Sequence, residues 1–157
     1  MRLLLAGLTT SLVLWALPVQ AQVSNDQVVA IVEALRLAAP KQPTDELYSA
    51  WKIKPSLIPQ WSRLCIGQEL TVEEFVADTA KARIILTCVM EDVLATEYPA
   101  SGNEEAIAIR RAAAWWVAGN GDLYDSGDIA FYTKKVLNFY QDLRANPGDF
   151  LPFRIAK

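Results

Sequence analysis

The sequence predicts an all-α fold: a compact bundle of five to six helices around a central apolar helix at about residues 79–97, stapled by one disulfide. Three observations lead there. Capping residues followed by apolar runs of helical period recur along the chain, whereas alternating β-branched stretches between turns are almost absent. Turn and breaker residues such as Pro40, Pro55, Gly67, Pro99 and Gly119 fall at the ends of those runs. The third observation is the presence of two cysteines, Cys65 and Cys88, and no others.

Residues 1–21 read as a signal peptide. Arg2 precedes an apolar stretch from Leu3 to Leu17, and Val19 and Ala21 supply the small residues of a cleavage site. The stretch is shorter than the ~20 residues a spanning helix needs. The sequence therefore predicts export to a periplasm or the exterior, a single helical domain at 22–157, and no membrane span after cleavage. Cleavage would remove one of 15 basic residues and none of 18 acidic ones, leaving a net charge of −4. An acidic balance of that kind excludes nucleic acid as a partner.

The elements follow in order. Ser24 and Gln27 form a capping box, and the run from Val28 to Leu35 continues until Pro40. A short helix is expected after Thr44, with Asp45 and Glu46 in its first turn and its end before Pro55. Another starts at Ser56, tolerates Pro59 early and stops at Gly67. Thr71 and Glu74 form a second capping box, opening a segment that runs to Glu97 before Pro99. Asn103 is the expected cap of the next helix, which ends at Gly119-Asn120-Gly121. Asp128 is the expected cap of the last, which fades before Pro147-Gly148.

Ile84, Ile85, Leu86, Val89, Met90 and Val93 make the helix of 79–97 apolar on nearly every side, as expected of an element surrounded by others. Ile129, Tyr132, Val136, Tyr140 and Leu143 instead recur every three or four residues, with Lys134, Lys135, Gln141 and Asp142 on other faces. That pattern predicts an outer helix with one wet side.

An exported protein meets an oxidising compartment, so Cys65 and Cys88 are expected to pair; the competing reading is two buried thiols. Pairing constrains the fold. On an unbroken helix from Thr71, Cys88 would lie ~25 Å along the axis. Extended chain from Cys65 to Thr71 spans only ~20 Å, and the bridge adds ~5.5 Å. A break near Asp78, which with Thr79 makes another N-cap, leaves Cys88 ~15 Å into a separate helix and closes the loop easily. The sequence thus predicts a short helix at 72–77, then a break.

The chain contains no His, which removes Ser-His and Cys-His nucleophilic pairs and the usual zinc and haem ligands. There is no CxxC and no glycine-rich phosphate loop, so no cofactor is expected. The turn from Asn120 to Asp128 has the oxygen density of a calcium loop. Counted from Asp122, Gly127 falls sixth as in an EF-hand, but Tyr124 is third and Thr133 stands where a bidentate Glu belongs. A turn followed by a helix cap accounts for the same residues, and no metal is expected. Trp51, Trp61, Trp115, Trp116 and Tyr124 are candidates for a ligand surface, although adjacent Trp115 and Trp116 cannot face the same way on a helix. Arg110 and Arg111 are expected to form a cation–π contact or pair with Glu104 or Glu105, or alternatively with Glu91 or Asp92. The apolar tail from Phe150 to Ile155 either crosses a surface groove or meets a partner.

Ala113, Trp115 and Gly119 before a glycine turn, followed by Tyr132-Thr133-Lys134-Lys135-Val136-Leu137, resemble the C-terminal part of lysozyme-like lytic transglycosylases. In that family an Ala-rich helix ends in Ala-Tyr-Asn-Ala-Gly and a later helix reads Tyr-x-x-x-Val-Leu; here Trp116-Val117-Ala118-Gly119 lacks the Asn. Ile66-Gly67-Gln68-Glu69-Leu70-Thr71 is faintly similar to the family's Gly-Leu-Met-Gln segment. The resemblance implies a peptidoglycan-cleaving enzyme whose acid, a Glu followed by Ser, corresponds in position to Glu46, followed here by Leu47. A general acid needs a raised pKa, whereas the first turn of a helix favours the carboxylate. The preferred expectation is therefore a non-catalytic binding or accessory module whose partner is an envelope protein or peptidoglycan glycan, with the lytic enzyme as the alternative. An enzyme requires a cleft with one desolvated Glu, and a binding module an apolar or aromatic patch.

Overall fold

The computed structural model describes residues 23–42, 47–146 and 148, and within them the chain forms six α-helices and no β-strand. They are α1 (Asn25–Ala38), α2 (Leu57–Ile66), α3 (Val72–Ala77), α4 (Thr79–Ala100), α5 (Glu105–Ala118) and α6 (Gly127–Ala145), with a 3₁₀ turn at Gly121–Asp125 between the last two. The signal-peptide expectation for 1–21 and the tail from Phe150 lie outside the described residues. No helix among those described is long and apolar enough to cross a membrane.

Two capping boxes start helices as the sequence dictates. The Ser24 hydroxyl accepts from the Gln27 amide while the Gln27 side chain accepts from the Ser24 amide, and Thr71 and Glu74 repeat the arrangement. Gly67 ends α2 and Gly119 ends α5 in the left-handed conformation that glycine adopts without strain. The break at Asp78 is present: α3 stops there, and Asp78 Oδ1 accepts from the Lys81 amide to open α4. Cys65 of α2 and Cys88 of α4 form the disulfide, with Cα atoms 5.9 Å apart.

Helix α4 contacts α1, α2, α3 and α5, and buries Ala82, Ile85, Leu86, Val89, Met90, Val93 and Leu94. Ile84, expected inside, is 42 % exposed, because α4 keeps a solvent stripe that also carries Glu91 and Asp92. Every residue of α1 from Val28 to Leu35 is buried, enclosed by α4, α6 and the chain around Trp51. Helix α6 lies outermost, with Val136 and Tyr140 inward and Lys134 in water. Ile58, Leu70 and Phe75 fasten α2 and α3 to the rest; each buried side chain of this size contributes ~1.5–3 kcal/mol.

Four local expectations are corrected. The stretch 47–54 is not helical: Tyr48 and Ile53 exchange two backbone hydrogen bonds of 2.8 Å, and Ser49 and Lys52 take positive φ, which no right-handed helix allows. Trp51 and Ile53, two apart, both enter the core, a spacing helical geometry would place on opposite sides. Helix α4 runs through Pro99 to Ala100, since a proline in the last turn forfeits only one amide bond. Asn103 is not a cap; it adopts φ 64° in a turn after Gly102, and Glu104 begins α5 without a side-chain bond. Asp128 sits inside the first turn of α6, which Ser126 precedes as N-cap.

Candidate functional site

The tryptophans separate into two environments. Trp51 is 2 % exposed, and its indole N–H donates to the Val32 carbonyl at 2.8 Å while the Arg83 guanidinium lies over its ring at 5.6 Å. A ring so enclosed offers no face to a ligand, so Trp51 leaves the candidate surface and joins the core. Trp61, Trp115 and Trp116 remain half-buried and meet one another. From α2, the Trp61 ring stands 6.5 Å from Trp115 and 5.7 Å from Trp116, inclined by 25° and 35°. Two neighbours on α5 that diverge around the helix are thereby joined by a ring from another helix. Leu64, one turn after Trp61, is 74 % exposed, and Val117, next to Trp116, is 48 % exposed. The structure thus brings together three of the candidate rings, with exposed Leu64 and Val117 near them in sequence.

Tyr124, the remaining aromatic candidate, belongs elsewhere. Its carbonyl accepts from Arg110 Nη2 and from the Thr133 hydroxyl, and its ring lies 5.0 Å below the Arg110 guanidinium. Arg110 also bonds Asp125 at 2.6 Å, which holds the Asp125 carboxyl below the usual carboxylate range. Arg111 bonds Glu97 at 2.7 Å and Asp122 at 2.8 Å. The two arginines thus pair with the 3₁₀ turn and the end of α4, not with Glu104, Glu105, Glu91 or Asp92. The same pairs explain the acid-rich turn: Asp122 and Asp125 neutralise arginines, and no group of acids among the described residues could hold a metal ion.

Sequence reasoning missed the buried acids. Glu97 lies against Gly121, where a Cβ would stand 2.5 Å from its carboxylate, so any side chain there would displace the carboxylate from the ion pair. Glu33, buried in α1, is held by Arg36 and by Arg83 at 3.5 Å. Glu97 carried no local signal, because Arg111 lies 14 residues away; Glu33 had one in Arg36 three residues on, set in an otherwise apolar run.

At the opposite end of α5, Glu105 and Ala106 face Leu137, Tyr140, Gln141 and Arg144 of α6 across a groove of about 350 Å³. The Tyr140 hydroxyl donates to Glu105; burial and that carboxylate push the phenol far above its ordinary pKa. Tyr98, whose hydroxyl accepts from Gln27, is raised for the same first reason, with Glu105 adding to it.

Glu46, the acid implied by the lytic resemblance, lies outside the described residues. No family model matches the chain, and no curated protein or solved structure is significantly similar to it. The fold and the patch define a class, a disulfide-stapled all-α domain that presents a tryptophan-centred surface.

Proposed function

We propose that this chain is an exported, non-catalytic binding module of the cell envelope, and that it docks another exported protein through the face around Trp61, Trp115 and Trp116. The observation that carries this reading is the three-ring cluster flanked by exposed Leu64 and Val117. Tryptophan-rich patches are the composition of protein-interface cores, and large rings anchor such contacts at low entropic cost. A sugar would need an open ring face, whereas these rings lean on one another. The disulfide fits an oxidising compartment. The two buried glutamates among the described residues are each tied to arginine, an arrangement that serves packing and not proton donation.

The test compares the mature chain with Leu64→Asp, a change at an exposed position that leaves the core untouched. Wild type immobilised on beads should retain an envelope protein in a dose-dependent, saturable manner, and Leu64→Asp should lose it with an unchanged circular dichroism spectrum. Equal retention by both would refute the assigned face. Incubation with peptidoglycan supplies the other arm: release of soluble muropeptides by wild type, but not by Glu46→Gln, would replace the binding module with a lytic enzyme.

A further inference from the structure

Helix α2 carries Trp61, the ring that meets both Trp115 and Trp116, and its last turn is lightly held. Of its ten residues only Ile58 and Ser62 are buried; beyond Ser62, Arg63 and Leu64 are exposed and Cys65 and Ile66 half-buried. The helix packs on α4 and, more lightly, on α3. Two ties reach its second half: the Leu70 amide donates to the Ser62 hydroxyl at 2.9 Å, and Cys65 is bonded to Cys88. The first ties α2 to its own continuation; the second ties it to the central helix. Trp61 precedes Cys65 by four residues, which places both on one side of α2, so a displacement of that turn moves the ring. We propose that Cys65–Cys88 is a thiol-exchange site: a dithiol reductant opens it, the end of α2 comes free, and Trp61 leaves Trp115 and Trp116. The tryptophan face then exists only in the oxidised chain. This control rests on the docking reading above for its purpose, and on the geometry of α2 for its occurrence.

Access agrees with exchange. Neither cysteine is buried, and Ile84, one turn before Cys88 on α4, is 42 % exposed, so that side of α4 meets solvent. Exposed disulfides are the labile ones. Cys65 sits between exposed Leu64 and half-buried Ile66, whereas Cys88 sits between buried Thr87 and Val89, which directs attack to Cys65 Sγ. One thiolate of the dithiol bonds that sulfur; the bond to Cys88 breaks, and Cys88 leaves as a thiolate that takes up a proton. The second thiolate of the dithiol then attacks the sulfur of the first, and Cys65 leaves as a thiolate and is protonated in turn. Two electrons have passed from the dithiol, which ends as a disulfide, to the chain, which ends with two thiols. Thereafter ring contacts and partial burial hold Trp61 to α5, and no covalent bond limits the motion of the last turn of α2.

The experiment treats the mature chain with dithiothreitol under native conditions and follows amide hydrogen exchange and near-ultraviolet circular dichroism. Reduction should speed exchange over 57–66 at least about tenfold and leave 105–118 and 127–145 unchanged. The dichroism of the ring cluster should fall and return on reoxidation. Trp61→Phe should lack that dithiothreitol-sensitive part, since buried Trp51 contributes a constant background. Cys65→Ser with Cys88→Ser should exchange like the reduced wild type and ignore the reductant. A bond that dithiothreitol leaves intact would overturn the proposal, as would free thiols with α2 exchange and dichroism unchanged. Loss of protection through α5 and α6 as well would also overturn it, because the bond would then hold the whole fold. Retention of the envelope protein on beads should fall with reduction; unchanged retention while α2 opens would leave the exchange site standing and refute the docking face.

Discussion

The two ends of α4 are fastened to the rest of the molecule by different means. In its first half, Cys88 binds α2 covalently, and Arg83 spans Glu33 and Trp51. Near its end, Glu97 and Arg111 join α4 to α5, and Asp122 and Gly121 bring the 3₁₀ turn over them. One end depends on a bond that only a reductant breaks. The other depends on charges withdrawn from water, which hold only while every partner is present. Segments packed on the same helix can thus be secured with different vulnerabilities.

The contrast can be broken most severely at the electrostatic end. Arg111→Met leaves Glu97 buried without its partner and should cost ~3–5 kcal/mol, read from the urea midpoint. Adding Glu97→Leu should recover most of that loss, since the penalty belongs to the unpaired charge. At the covalent end, Cys65→Ser with Cys88→Ser should cost ~3 kcal/mol on the chain-entropy model. The loss should come with faster amide exchange in α2 and α3 and leave α5 and α6 protected. Gly121→Ala, which forces a methyl against the held Glu97 carboxylate, should cost ~1–3 kcal/mol and shift the thermal midpoint downward.

The smallest effect concerns pH. Asp125 has its folded pKa depressed below the ordinary 3.8 by Arg110, so its contribution is complete above that value and fades as the pH falls through the lower folded value. Thermal midpoints of wild type and Asp125→Asn should therefore differ slightly near neutrality and converge in acid. A difference that does not shrink at all as the pH falls below the ordinary 3.8 would assign the contact no electrostatic content.

The parts of the fold legible in sequence were those set by neighbours or by a hard distance limit. Ser24 with Gln27 and Thr71 with Glu74 need only three residues of context. The break at Asp78 was readable because the reach of Cys65 to Cys88 forbade an unbroken helix. The loop at 47–54 was not readable, because Trp51 leaves the helical path to reach Val32, a partner on another element. The pairing of Arg111 with Glu97 was not readable, because the two lie 14 residues apart on different helices and meet only once α4 and α5 pack. At the candidate site, composition supplied the tryptophans but not their exposure. Only the crossing of α2 near α5 separates Trp61, Trp115 and Trp116 from the buried Trp51.

Among the described residues, the first helix packs on the last. Helix α1 packs on α6, and the Lys135 ammonium donates to the Ala38 carbonyl across 97 positions of sequence. Most of the chain must be made before Val28–Leu35 can be covered, so closure comes late and the entropy of a long loop weighs on the rate. A polypeptide emerging N-terminus first from a ribosome would present that apolar helix to its surroundings until the final turn of α6 arrived.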